Sequence, residues 1–147
     1  MSLDDFVNHL QAEIDTQALH DYGPEAFDRW KAPSRMGPMA DADACGRVRG
    51  TCGDTMQIFV KIADGRVAEA SFTTDGCGPS VICGSFAAEM ICGRPLEDLA
   101  DFDGEQILVR SGGLPEDDRH CAFLAAASVR AALDDYMSRL ARRRCGP

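Results

Sequence analysis

Residues 55–62 read Thr55-Met56-Gln57-Ile58-Phe59-Val60-Lys61-Ile62, and Asp64-Gly65 and then Val67-Ala68-Glu69-Ala70-Ser71-Phe72-Thr73 follow closely. A period of two marks a strand with one face against a core. Met56, Ile58, Val60 and Ile62 are expected on that face. Asp-Gly is a hairpin signal, because both residues tolerate positive φ. The return strand is expected to turn Ala68, Ala70 and Phe72 inward. Gly46–Gly50 reads as a shorter strand before them. The simplest topology is an antiparallel meander of three strands.

On either side the pattern is helical. Pro79 opens a segment Ser80–Cys92 that Gly93 and Pro95 stop. Leu96–Leu99 is a short helical turn, and Asp103 with Gln106 caps a helix to about Val109. Residues 111–115, Ser-Gly-Gly-Leu-Pro, break the chain before a long alanine-rich helix from about Asp118 to Arg143. Upstream, Ser2 to about Gln17 is amphipathic, with Leu3, Phe6, Val7, Leu10 and Ile14 on one face and Ser2 with Asp5 as a capping pair. Pro24–Trp30 is a second short helix, and 31–44 is a loop. Strands followed by helices define an α+β fold. No repeat or linker divides the 147 residues. A single domain over 1–147 is expected, with the helix at about 2–17 as an addition.

Fifteen Lys and Arg against 24 Asp and Glu leave a net charge of −9. That balance argues against nucleic acid and hints at basic protein partners. The cluster Arg142-Arg143-Arg144 reads as a helix C-terminus complementing its own dipole. No apolar run approaches the roughly 20 residues of a membrane helix. The first residues are acidic where a secretory signal is basic, so the expected compartment is the cytoplasm.

In that compartment seven cysteines call for metal, catalysis or burial rather than disulfides. Cys83 and Cys92, inside an apolar helix, read as core residues. Cys45, in a loop before a strand, and Cys145, in the tail, carry no evident role. Cys52, Cys77 and Cys121 differ, because each lies at an element end where side chains from distant segments can converge. Cys77 and Cys121 lie at helix N-termini, where the dipole favours a thiolate. Asp54 stands two residues from Cys52, and His120 precedes Cys121. Cys-x-x-Cys is absent, which excludes thioredoxin-like redox and ordinary zinc-ribbon motifs. Three thiols with a carboxylate and an imidazole suit zinc or an iron–sulfur cluster.

Three segments carry a resemblance. Gly50-Thr51-Cys52-Gly53-Asp54-Thr55-Met56, Thr74-Asp75-Gly76-Cys77-Gly78, and Leu114-Pro115 with His120-Cys121-Ala122 resemble the cysteine motifs of the iron–sulfur cluster scaffold family, the IscU proteins and the NifU N-terminal domain. Tyr22 through Gly37, with Pro33, is similar to that family's opening segment. The resemblance runs from about residue 22 to 140. It implies an IscU/SufE-like fold, a three-stranded antiparallel sheet with helices packed on one face and a long C-terminal helix.

The function it implies is assembly of a labile, transient [2Fe–2S] cluster from iron and from sulfur delivered by a cysteine desulfurase, then transfer to apo iron–sulfur acceptor proteins. It implies Cys52, Cys77 and Cys121 as ligands and Cys121 as acceptor of persulfide sulfur. Asp54 is implied as fourth ligand or as the group that keeps the cluster labile, and His120 as the alternative fourth ligand. Zinc can occupy the cluster-free form, and an iron donor or a ferredoxin are further partners. A hard carboxylate holds a soft cluster less firmly than a fourth thiolate, which suits a site that releases its cargo.

The chain departs from the family at one place. Where IscU proteins read Leu-Pro-Pro-Val-Lys, the site of a dedicated chaperone ATPase, this chain has Leu114-Pro115-Glu116-Asp117-Asp118. Three acids there predict little recognition by that chaperone. The alternative function is a SufU-like zinc-dependent sulfurtransferase. Such chains carry an insertion between the second and third cysteines and lack the histidine before the third. Here 43 residues separate Cys77 from Cys121, and His120 is in place.

Overall fold

A computed structural model describes residues 2–76 and 78–144. Cys77 and Cys145 lie outside the described residues. Helix α1 (Leu3–Tyr22) leads into α2 (Pro24–Lys31), three strands follow, β1 (Ala44–Arg49), β2 (Thr55–Ala63) and β3 (Arg66–Thr74), and then come α3 (Gly78–Ile91), α4 (Leu96–Leu99), α5 (Gly104–Ser111), a 3₁₀ turn (Glu116–Asp118) and α6 (His120–Arg144). The sheet order is β1-β2-β3, antiparallel throughout. The α+β meander expected from the alternation is present.

The inner sheet face carries Met56, Ile58, Val60, Ala70 and Phe72, all buried. Against it lie Ile82, Phe86, Ala87 and Ile91 of α3 and Ala122, Ala125, Ala126, Val129 and Ala132 of α6. Small residues on α6 let its axis sit low on β1. At Gly46 the approach is closest: a Cβ there would lie 2.2 Å from Ala132 N and 2.4 Å from Ser128 O. Phe72, Phe86 and Phe102 are among the largest fully buried side chains. Each contributes on the order of 1.5–3 kcal/mol through area removed from water.

Two details differ from the alternation. The ladder pairs Lys61 with Glu69 but Ile62 with Val67, so Ala68 is an extra residue on β3. This bulge turns Val67 inward and Ala68 out to solvent, and leaves Ile62 half-buried. Also, β1 begins at Ala44, which makes Cys45 a strand residue. Asp43 N donates to Val60 O at 2.8 Å and the Asp43 carboxylate accepts from Ile62 N at 2.7 Å, so the ladder extends beyond what apolar pattern alone reveals. Cys83 is fully buried as expected, whereas Cys92 is half-buried with its thiol on Ala88 O.

The caps are as read. Ser2 and Asp5 form a reciprocal capping box, and the Asp103 side chain accepts from Gln106 N. Helix α1 runs on to Tyr22, where Gly23 at φ 83° ends it. Arg29 fastens α2 to α3: its guanidinium reaches Glu89 at 2.7 Å and Ser85 at 3.0 Å and lies over the Phe86 ring. Among the described residues no helix is long and apolar enough to cross a membrane.

Candidate functional site

The two strand ends and two helix starts named by the cysteine motifs meet at one end of the sheet. Residues 50–54 close a tight loop from β1 to β2. Gly53 N donates to Gly50 O at 3.0 Å and Gly50 N to Asp54 O at 2.8 Å. Gly53 takes φ 94°, a left-handed conformation that favours glycine. Cys52 stands at the tip of this loop, exposed. The β3–α3 loop is pinned beside it, since the Asp75 carboxylate accepts from Thr55 N at 2.6 Å and Thr74 Oγ1 accepts from Gly76 N at 3.1 Å. The third segment is the first turn of α6, which holds His120 and Cys121.

Ser80 joins two of these segments. Its hydroxyl lies 3.0 Å from Asp54 Oδ2 and 3.6 Å from Cys121 Sγ, so one proton serves two acceptors. His120 Nε2 lies 3.6 Å from the same sulfur. Asp54, Ser80, His120 and Cys121 therefore form one connected cluster. A Cβ on Gly76 would fall 2.6 Å from both Asp54 Oδ2 and Ser80 Oγ, so the loop backbone runs directly against the cluster. Gly76 is thus held between Asp54 and Ser80. Among the described residues, which exclude Cys77, no three His, Cys, Asp or Glu side chains converge tightly enough to hold a metal ion.

The thiol of Cys121 behaves otherwise than its position suggests. It sits in the first turn of α6 but is only 3% exposed. Burial pushes its pKa above the ordinary thiol value; the Ser80 hydrogen bond works against that shift, while the charges of Cys52, Asp118 and Asp54 add to it. Burial and the surrounding negative charges win over that hydrogen bond. Sequence reading missed Ser80, because serine near a helix start reads as a cap. It also missed the bond from Tyr22 OH to Asp118 Oδ2 at 3.0 Å, which ties the end of α1 to the turn before α6. Burial and Asp118 together raise the Tyr22 phenol pKa well above its usual range. Trp30 packs beside Gly78, with Nε1 3.6 Å from where a Cβ would stand.

A small antiparallel sheet with helices on one face, and with the Cys52 loop and the helix start that carries Cys121 at its end, defines a recognisable class. The family model described as the NifU-like N-terminal domain matches residues 21–143. This chain belongs to that family. It is 35% identical over 116 residues to the iron–sulfur cluster assembly scaffold protein IscU 1 of Archaeoglobus fulgidus, covering 78% of this chain and 76% of that one. It is 31% identical over 123 residues to the IscU scaffold protein of Haemophilus influenzae, covering 80% of this chain and 97% of that one. A crystal structure of a NifU-like N-terminal protein from Brucella abortus shares the fold, with TM-score 0.61 at 19% identity over 83% of this chain and 99% of that one. A scaffold protein described for the SUF system of Fervidobacterium islandicum also shares it, with TM-score 0.60 at 15% identity over 78% of this chain and 98% of that one.

Proposed function

We propose that this chain is an iron–sulfur cluster assembly scaffold that builds a labile [2Fe–2S] cluster and passes it to apo-proteins. The observation that most supports this is the cluster Asp54–Ser80–Cys121 with Cys52 on the adjoining loop. It joins soft thiol donors to a carboxylate, a donor set that takes iron and sulfide and releases them. Residues 1–147 act as one unit of the family, with α1 as an addition. Cys52, Cys77 and Cys121 supply thiolates, Asp54 is the fourth ligand, and His120 is its alternative.

Sulfur arrives as persulfide on a cysteine desulfurase. The Cys121 sulfur attacks the outer sulfur of that persulfide, a new S–S bond forms as the donor's S–S bond breaks, and the donor cysteine leaves with the proton that Cys121 gives up. Freeing sulfide from the persulfide then takes two electrons, which a ferredoxin supplies, while an iron donor provides the metal. The raised pKa of Cys121 implies that iron or zinc entering the site displaces its proton. The acids at Glu116–Asp118 stand where the family's chaperone motif carries proline, an apolar residue and lysine, so transfer runs without that chaperone. A peptide spanning Gly113–Cys121 that bound it as tightly as the usual motif would refute this.

The test is anaerobic reconstitution with iron, cysteine and a cysteine desulfurase. Absorption and Mössbauer spectra and challenge with an apo-ferredoxin follow. A [2Fe–2S] chromophore that moves to the ferredoxin and is lost in Cys52→Ala, Cys77→Ala and Cys121→Ala is the expected result. Tight zinc without a cluster, with faster desulfurase turnover when the zinc form is added, would assign the chain to SufU-like sulfur transfer instead.

A further inference from the structure

Helix α1 is held at one end only. Tyr22 bonds Asp118, and Asp15 pairs with Lys31 of α2 at 2.7 Å. Toward Ser2 the helix leaves the body of the protein. Its single buried residue among those described is Ala18. The apolar stripe Leu3, Phe6, Val7, Leu10 and Ile14 stays 41–76% exposed, although the spacing i, i+3, i+4, i+7, i+11 is that of a face built to be covered. The sheet does not take it, since α1 packs against α2. The family match begins at residue 21, so this stripe lies before the shared domain.

The stripe does not end in solvent. At Ile14 it runs into a groove of about 420 Å³, lined also by Ala18, Tyr22, Trp30, Gly78 and Pro79. Gly78 and Pro79 flank residue 77 on one side and Ser80 on the other. A protein laid along α1 therefore arrives at the mouth of the candidate site.

Charge narrows what can lie there. Helix α1 carries Asp4, Asp5, Glu13, Asp15 and Asp21 and no Lys or Arg, and the first cation of the chain is Arg29. Pairing with the same helix of a second copy sets acid against acid. The stripe from Leu3 to Ile14 is about 16 Å long at 1.5 Å per residue. An anionic bilayer repels the same acids. An apolar groove edged by Lys and Arg complements both the stripe and its rim, as in helix-in-groove recognition.

We infer that α1 is a docking helix for the sulfur donor, seating its apolar stripe in a basic-edged groove of that protein and guiding the donor's persulfide past Trp30 and Gly78 to the site. Sulfur transfer requires the two sulfurs to touch, so the donor gains most from a dock that ends at the mouth. The inference rests on the scaffold reading above.

The experiment separates the two. Iron and inorganic sulfide, with no desulfurase, are added to the unaltered protein and to the double variant Phe6→Gln/Leu10→Gln. Calorimetric titration against the purified cysteine desulfurase of the same cell, at low and high salt, follows for both. Both positions are exposed, so helix content by circular dichroism is expected to be unchanged. The expected result is equal cluster from sulfide in both proteins, desulfurase affinity lowered about tenfold or more in the variant, and salt weakening of the unaltered protein's affinity. Unchanged affinity in the variant overturns the inference. So does a dimer of the unaltered chain, seen by sedimentation, that the variant loses, or binding to phosphatidylglycerol vesicles that the variant loses. Failure of the unaltered protein to form a cluster from iron and sulfide overturns the scaffold reading, and the inference with it.

Discussion

Gly46→Ala tests whether α6 lies as close to β1 as the structure has it. The added Cβ would stand 2.2 Å from Ala132 N, 2.4 Å from Ser128 O and 2.6 Å from Ala131 C, where ordinary contact begins at 3.4 Å. All three atoms are helix backbone, so none can rotate away, and α6 must retreat by about 1 Å in a core packed like a crystal. Overpacking of this kind costs about 1–3 kcal/mol, and a rigid obstacle places it near the upper end. At about 2–4 °C per kcal/mol for a chain of this length, the melting temperature falls by about 6–12 °C. Intrinsic propensity acts the other way, since alanine in a strand is better than glycine by about 0.5–1 kcal/mol. The sign alone is therefore informative. Thermal and urea unfolding followed by circular dichroism measure it. The first turn of α6 carries Cys121, so the retreat also draws its sulfur from Ser80, and cobalt(II) bound at the site would show a weaker thiolate charge-transfer band. A Gly46→Ala protein melting within about 2 °C of the parent would refute the close approach.

Three further outcomes are expected. Gly76→Ala crowds Asp54 Oδ2 and Ser80 Oγ, which are side-chain ends able to turn aside, so stability is nearly kept while the Asp54 carboxylate is pushed out of its place; weaker cobalt(II) binding at an unchanged melting temperature is the signature, and unchanged cobalt(II) binding counts against Asp54 as a ligand. Glu25 holds Arg110 at 2.7 Å, and that bond, with a second to Arg29, lowers its pKa from 4.5 to about 2. A folded-state pKa below the unfolded one gives stability that is present above about pH 4.5 and lost as pH falls toward 2; Glu25→Gln should flatten that acid limb in pH-dependent urea unfolding, and parallel limbs for the two proteins would contradict the pairing. Timed iodoacetamide labelling with peptide mapping should modify exposed Cys52 well before the buried Cys121 and Cys83, and Cys121 reacting ahead of Cys52 would contradict the burial of the α6 cysteine.

The period-two run at 56–62 and the turn at Asp64-Gly65 made the hairpin legible, because a half-buried strand writes its burial into every second residue. The bulge at Ala68 was not legible. A one-residue insertion changes which face a side chain takes without changing composition. The start of β1 was missed for a related reason: Asp43 joins the ladder by accepting from Ile62 N, and Cys45 N donates to the Asp135 carboxylate of α6, hydrogen bonds that hydrophobicity does not record. At the candidate site the sequence separated Cys52 and Cys121 from core cysteines by their position at element ends. It did not reveal Ser80, whose part depends on where α3 and α6 cross, a tertiary fact without a local signal. Nor did it reveal how burial and hydrogen bonding would balance at Cys121. That balance depends on how much solvent α3 and the loops exclude, and no spacing along the chain encodes it.

The unequal exposure of Cys52 and Cys121 bears on how a scaffold can both hold and release. A site with every ligand buried would bind cargo tightly and open slowly, while one with every ligand exposed would lose it to water and oxidants. Here one thiol stands at the tip of a tight loop and the other is 3% exposed against Ser80. On the proposed reading the buried sulfur holds an iron from within and the loop thiol closes the outer side. The Gly50–Gly53 turn anchors that loop by two backbone hydrogen bonds, so Cys52 can leave an iron by side-chain rotation without unfolding the strand ends. On the same reading Asp54 would give this result from the chemical side, as a hard oxygen on a sulfide-bridged cluster, already hydrogen-bonded to Ser80 and able to return to that bond when it lets go. Ser80→Ala removes that return path. It should therefore leave cluster formation intact and slow transfer to apo-ferredoxin, as measured by the rate at which the acceptor's visible dichroism grows. Transfer at the parent rate would show that Asp54 does not need Ser80 to release its cargo.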